Sequence, residues 1–155
     1  MGASSSLLTN VVELDIYLSY PDKKTEYIER IMDMLQTMNF KIMDSSIMIQ
    51  SRKDLSSSEI SKYMEIFIEK TKYIFVCISP ETIKSVTQIM EINEIIDKYP
   101  KVHKKIIYFM MDKSYTPNTN IELNSIVKKN LWLPIYDEDS LFDTTNKVLT
   151  LLMNE

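Results

Sequence analysis

Polar and apolar positions alternate along this chain in two different rhythms, and the rhythms take turns. "ELDIYLSY" (Glu13–Tyr20) alternates residue by residue and is rich in β-formers, which predicts a strand ended by Pro21-Asp22. From Thr25 to Met38 the period lengthens: Ile28, Ile31, Leu35 and Met38 recur at helical spacing. "FKIMD" (Phe40–Asp44) predicts a short second strand. A polar stretch, Ser45 to Ser58, reads as a loop whose Ser57 or Ser58 caps the next helix. That helix carries Ile60, Met64, Phe67 and Ile68 on one side. "YIFVCIS" (Tyr73–Ser79) is apolar without interruption, as expected of a strand covered on both faces.

Ser79 then reads as an N-cap with Pro80 at the first helical position, opening a third helix that runs to about Lys98. "KIIYFMM" (Lys105–Met111) is another buried strand, and a weaker helix is predicted over about Ile121–Lys129. "LWLPIY" (Leu131–Tyr136) is a fifth strand, and its Pro134 suits a sheet edge. A last helix shows Leu141, Thr145, Val148, Leu149 and Leu152 at helical spacing. Strand and helix thus alternate five times, which implies a parallel sheet with helices on both faces. The predicted fold is α/β: a flavodoxin-like, doubly wound, five-stranded sheet spanning residues 13–155 as one domain, behind a flexible tail of residues 1–12. Ligands of such sheets sit beyond the carboxyl ends of the strands, near the point where strand order reverses.

Composition removes several classes of function. Glycine occurs once, at Gly2, so a Gly-rich phosphate loop is excluded. Net charge is −4, and nucleic acid is not an expected partner. The basic cluster Lys98, Lys101, Lys104 and Lys105, with His103 inside it, reads as a solvated loop. The single cysteine, Cys77, lies in an apolar strand and reads as core, so neither a disulfide nor a cysteine-rich metal site is expected. The lone His103 has no second histidine with which to share a metal, so no metal site is expected, and no bound cofactor is expected either.

No apolar run is long enough to span a bilayer, and the chain reads as cytoplasmic. Its first residues, "MGASSS", match the N-myristoylation pattern, with Gly2 as acceptor and Ser6 at the required offset. A single acyl chain with no adjoining basic cluster supports only weak, reversible membrane contact.

The third predicted helix holds the most pointed candidate. On a projection at about 100° per residue, its apolar face carries Ile83, Val86, Ile89, Met90, Ile92, Ile95 and Ile96. Glu91 falls off that face, beside Lys84, Thr87, Glu94 and Lys98, and by pattern is a solvated charge.

Four segments in this order resemble the Toll/interleukin-1 receptor (TIR) domain family. "LDIYLSYPDKK" is similar to its opening box, an acidic residue followed by an apolar strand ending in Ser and an aromatic. "RKDLSSSEISKYMEIFIEKTKYIFVCISPE" is similar to its middle region, an Arg-Asp loop, a helix and a buried strand ending in Ser-Pro. "SVTQIMEI" aligns with its third-helix motif and "LWLPIY" with its last strand. The resemblance covers about Glu13 to Asn154. It implies two functions of different classes. One is an interaction module, adaptor or decoy, associating with other TIR-like domains or with itself through the loop of Arg52, Lys53, Asp54 and Leu55. The other is an NAD⁺ glycohydrolase, with Glu91 on the position of the family's catalytic glutamate and Ser19 and Tyr20 near the nucleotide. The chain departs from the family pattern twice. Ser56-Ser57-Ser58 stand where a Pro-Gly is usual, and Thr87 and Gln88 replace a Trp-Cys pair.

Overall fold

Short apolar segments separated by capped helices leave the backbone few ways to bury itself, and a computed structural model shows the solution reached. The structure describes residues 14–21, 25–44, 54–98, 101, 105–113 and 131–154. The expected tail, the weaker helix over 121–129 and most of the loop 45–58 lie outside the described residues.

Five strands, β1 (Ile16–Ser19), β2 (Ile42–Asp44), β3 (Tyr73–Ile78), β4 (Ile106–Met110) and β5 (Leu131–Pro134), form one sheet in the order β2-β1-β3-β4-β5. Every pairing is parallel, with Tyr17 opposite Ile74 and Ser19 opposite Val76 across the β1–β3 junction. This is the expected flavodoxin-like, doubly wound α/β fold. Strand order reverses between β1 and β3. β5 is an edge strand, where the missing N–H of Pro134 leaves no gap in a two-sided ladder.

Among the described residues, four α-helices cover the sheet: α1 (Glu26–Thr37), α2 (Ser57–Lys70), α3 (Val86–Asp97) and α4 (Glu138–Met153). Side chains alternate across each strand, so two cores form. One holds Tyr17, Ile74, Val76, Ile78 and Tyr108 against Ile60, Met64 and Phe67 of α2 and Ile92 and Ile95 of α3. The other holds Ile16, Leu18, Phe75, Cys77 and Phe109 against Ile28 and Leu35 of α1 and Leu141 and Val148 of α4. Phe75 and Phe109 meet edge to face at the sheet centre, with ring centroids 5.2 Å apart. Cys77 is buried as expected, and burial raises its thiol pKa well above the ordinary value.

The caps correct two boundaries. α2 is capped one residue earlier than expected, by Ser56, whose hydroxyl accepts from the Glu59 N–H while Glu59 accepts from the Ser56 N–H. That reciprocal capping box needs Glu three residues after the cap, and only Ser56 has it. The helix expected from Ser79 is split. Ser79 caps a 3₁₀ segment, Pro80–Lys84, and Ser85 then caps α3 by accepting from the Gln88 N–H at 3.2 Å.

The basic cluster is more engaged than a solvated loop. Lys98 pairs with Glu65 and Glu69 of α2 at 2.9 and 3.3 Å, which raises its own pKa and lowers that of Glu69. Lys105 donates to the Glu69 and Thr71 carbonyls, closing the C-terminus of α2. His103 and Lys104 lie outside the described residues.

Asp137 caps α4, accepting from the Ser140 N–H at 2.7 Å, and this bond lowers its pKa below the ordinary 3.8. A depressed folded pKa contributes stability above the unfolded value and loses it as pH falls through the folded one. Asp137→Asn keeps a capping oxygen without the charge. The stability gap between wild type and this variant is therefore expected to narrow as pH drops from about 5 to about 2, measured by urea unfolding across that range. A gap independent of pH would show that the charge contributes nothing.

Candidate functional site

The carboxyl ends of β1 and β3 meet at the reversal point, and the residues there are polar. Ser19 ends β1 and points to the α2/α3 face, as does Tyr17 two residues earlier. Above them lies α3. Its buried stripe is Thr87, Gln88, Glu91, Ile92 and Ile95. Gln88, Glu91, Ile92 and Ile95 stand at i, i+3, i+4 and i+7, one face of a helix.

This overturns the expectation of a solvated Glu91. The Glu91 side chain has 0% exposure, whereas Val86, expected on the apolar face, is 54% exposed. The cause lies in how widely the apolar residues of α3 are spread. Six of them, Val86, Ile89, Met90, Ile92, Ile95 and Ile96, spread over more than half of its circumference, so hydrophobicity alone does not fix the rotation. Polar partners on the sheet fix it. The Ser19 hydroxyl donates to Glu91 Oε1 at 2.8 Å, and the Tyr17 hydroxyl donates to Glu91 Oε2. One turn earlier, Gln88 Nε2 donates to the Cys77 carbonyl at 2.7 Å. The inward stripe of α3 thereby ties β1 to β3 across the reversal point. Burying this carboxyl requires such bonds, because an unpaired polar group in the interior is costly.

Tyr17 is itself held. Its ring stacks on Phe67 of α2 with centroids 6.2 Å apart, and Phe67 stacks on Tyr63 at 6.5 Å. Sequence reasoning named Ser19 and Glu91 but passed over Tyr17. Its position two residues before Ser19, on the same strand face, was the available signal. Tyr20, expected beside Ser19, lies on the other face of the sheet, buried in the α1/α4 core with Ile28 and Leu35. Strand alternation requires this separation of neighbouring residues.

The expected interaction loop is described only at its end. Asp54 is exposed, and Leu55 is half-buried against the α2/α3 core. Arg52, Lys53 and Gly2 lie outside the described residues. Among the described residues, surface hollows lie along α4. One is lined by Leu133, Asn146, Lys147, Thr150 and Leu151, another by Arg30, Ile31, Met34, Glu138, Leu141, Phe142 and Thr145. Among the described residues there is no metal-binding cluster, and no helix is long and apolar enough to cross a membrane.

Comparison with known proteins agrees with this architecture. A family model described as TIR domain matches residues 16–144. The search of curated proteins finds no match.

Proposed function

The chain belongs to the TIR domain family, and from that premise we propose that it is a protein-interaction module, an adaptor or decoy associating with other TIR-like domains or with itself. One observation carries this reading. Glu91, the acid that NAD⁺ cleavage would need, has no exposed surface, and both of its oxygens accept from hydroxyls of β1. A carboxylate placed this way braces the sheet instead of facing a ligand. The interaction surface falls to exposed groups, and of the two described members of the expected contact, Asp54 and Leu55, Asp54 is the exposed one.

A second reading, NAD⁺ glycohydrolase, is favoured by the meeting of Ser19 and Glu91 at the strand ends where doubly wound sheets bind ligands. There a carboxylate would hold a ribose hydroxyl and stabilise the cationic sugar as nicotinamide leaves.

Sedimentation over a concentration series, with a parallel assay of free nicotinamide on incubation with NAD⁺, separates the two. Under the interaction reading the wild type self-associates or binds a TIR-like partner, releases no nicotinamide, and loses association on Asp54→Lys. A chain that stays monomeric, binds no TIR-like domain and releases nicotinamide only with Glu91 intact would replace it with the second reading.

A further inference from the structure

Because every strand pairing is parallel, the amino ends of the strands share one end of the sheet. That end is rich in lysine. Lys41 directly precedes β2, Lys72 directly precedes β3, Lys70 is the last residue of α2, and Lys101 follows α3. All four are exposed. Acids stand among them, but mostly behind them. In the Lys72–Asp15 pair the lysine side chain is 70% exposed and the aspartate 19%, and in the Lys101–Glu69 pair the values are 71% and 28%. Asp97, the last residue of α3, and Glu65, paired with Lys98, offset part of the charge. The helices run back against the strands, so α1 and α4 also finish at this end, leaving Met38 and Met153 exposed there. The opposite end is acidic, with Glu26, Glu29, Glu59, Glu138 and Asp139 in the first turns of α1, α2 and α4. The helices hold these charges about 20 Å away, more than two Debye lengths at physiological salt. A surface that meets the lysines is therefore little repelled by the acids, although the whole chain carries a net charge of −4.

We propose that the amino end of the sheet is a lipid-facing surface, on which Lys41, Lys70, Lys72 and Lys101 meet the headgroups of an anionic bilayer and Met38 and Met153 enter the boundary beneath them. Charge alone would equally suit the acidic end of a second copy. Two observations favour lipid. Exposed methionines flank the lysines, and an anionic bilayer offers an apolar layer below its charge. Leu14 leads into β1 from this same end, so Gly2 is joined to it by a stretch that reaches at most about 40 Å. The sequence shows no basic cluster beside the myristoylation motif, whereas the fold brings one to the place where that segment joins the domain. These lysines supply the second signal that a single acyl chain at Gly2 would need for stable attachment. The lysine surface also acts without the acyl chain, more weakly, and independently of which TIR function the domain performs.

Cosedimentation of the unacylated full chain with vesicles tests this. Vesicles of phosphatidylcholine alone are compared with vesicles that also contain phosphatidylserine, for wild type, Lys41→Gln/Lys72→Gln/Lys101→Gln and the matching triple Lys→Arg variant. Wild type is expected to bind the phosphatidylserine vesicles, to leave the neutral ones in solution, and to be released as salt is raised. A lysine near an anionic surface strengthens binding about fivefold, so the triple Gln variant should bind on the order of 100-fold more weakly. The triple Arg variant keeps the charge and should bind like wild type, which separates charge from any effect of three substitutions on folding. Wild type that ignores phosphatidylserine vesicles overturns the proposal, as does equal binding to both kinds of vesicle or by the Gln variant. Self-association without vesicles that the Gln variant loses, together with no binding to lipid, would assign the basic end to the acidic end of a second copy and overturn the lipid assignment.

Discussion

Replacing Glu91 by alanine is expected to destabilise the domain by about 3 kcal/mol, a core-sized effect from a residue whose sequence setting reads as surface. Two losses add. The hydroxyls of Tyr17 and Ser19 each lose a buried acceptor, and a buried group left without its partner costs about 1–3 kcal/mol. Truncation also leaves a void beneath α3, between β1 and the helix. Rotation of the small Ser19 hydroxyl and entry of water offset part of this. Glu91→Gln should cost less, about 1 kcal/mol, because its amide oxygen still accepts from one hydroxyl while its N–H₂ faces the other. Urea unfolding of the two variants checks the order. With a slope of about 1–3 kcal/mol per molar urea, the alanine variant should unfold at a midpoint lower by 1 M or more. A change within about 0.5 kcal/mol, as for a surface residue, would mean that Glu91 is solvated.

That contrast shows where the sequence speaks and where it falls silent. The strands are legible because their signals are local. Tyr73–Ile78 is apolar throughout since it is covered on both faces, and Pro134 marks the edge it occupies. Ser79-Pro80 correctly announces a helical start, but the break at Ser85 depends on an extended residue between two capped segments. Pattern does not record such a break when apolar residues continue on both sides of it. That Glu91 and Ser19 both lie near the carboxyl end of β1 follows from family resemblance and fold order together, but their hydrogen bond is not foreseen. The rotation of α3 does not, since it is set by hydroxyls 72 and 74 residues away in sequence. A helix apolar around most of its circumference offers several faces of similar hydrophobicity, and distant polar partners choose among them.

The site also depends on a residue that touches none of its oxygens. Phe67→Ala is expected to destabilise the domain by about 4 kcal/mol, within the usual range for removing a buried aromatic ring. Phe67 has 0% exposure, belongs to the α2/α3 core and stacks between Tyr17 and Tyr63. Its loss opens a void on the side of Tyr17 facing α2, so the phenol gains room to leave Glu91. Phe67→Leu fills most of that volume and should cost only about 1–1.5 kcal/mol, close to what well-accommodated apolar exchanges cost. The two variants separate packing from positioning. Unfolding free energies should follow the missing volume, while the near-ultraviolet circular dichroism of the buried tyrosines should change most in Phe67→Ala, where Tyr17 is least confined. If Phe67→Ala is as stable as wild type and leaves the tyrosine signal unchanged, α2 does not clamp Tyr17, and the route from α2 through Tyr17 to Glu91 is broken at its first step.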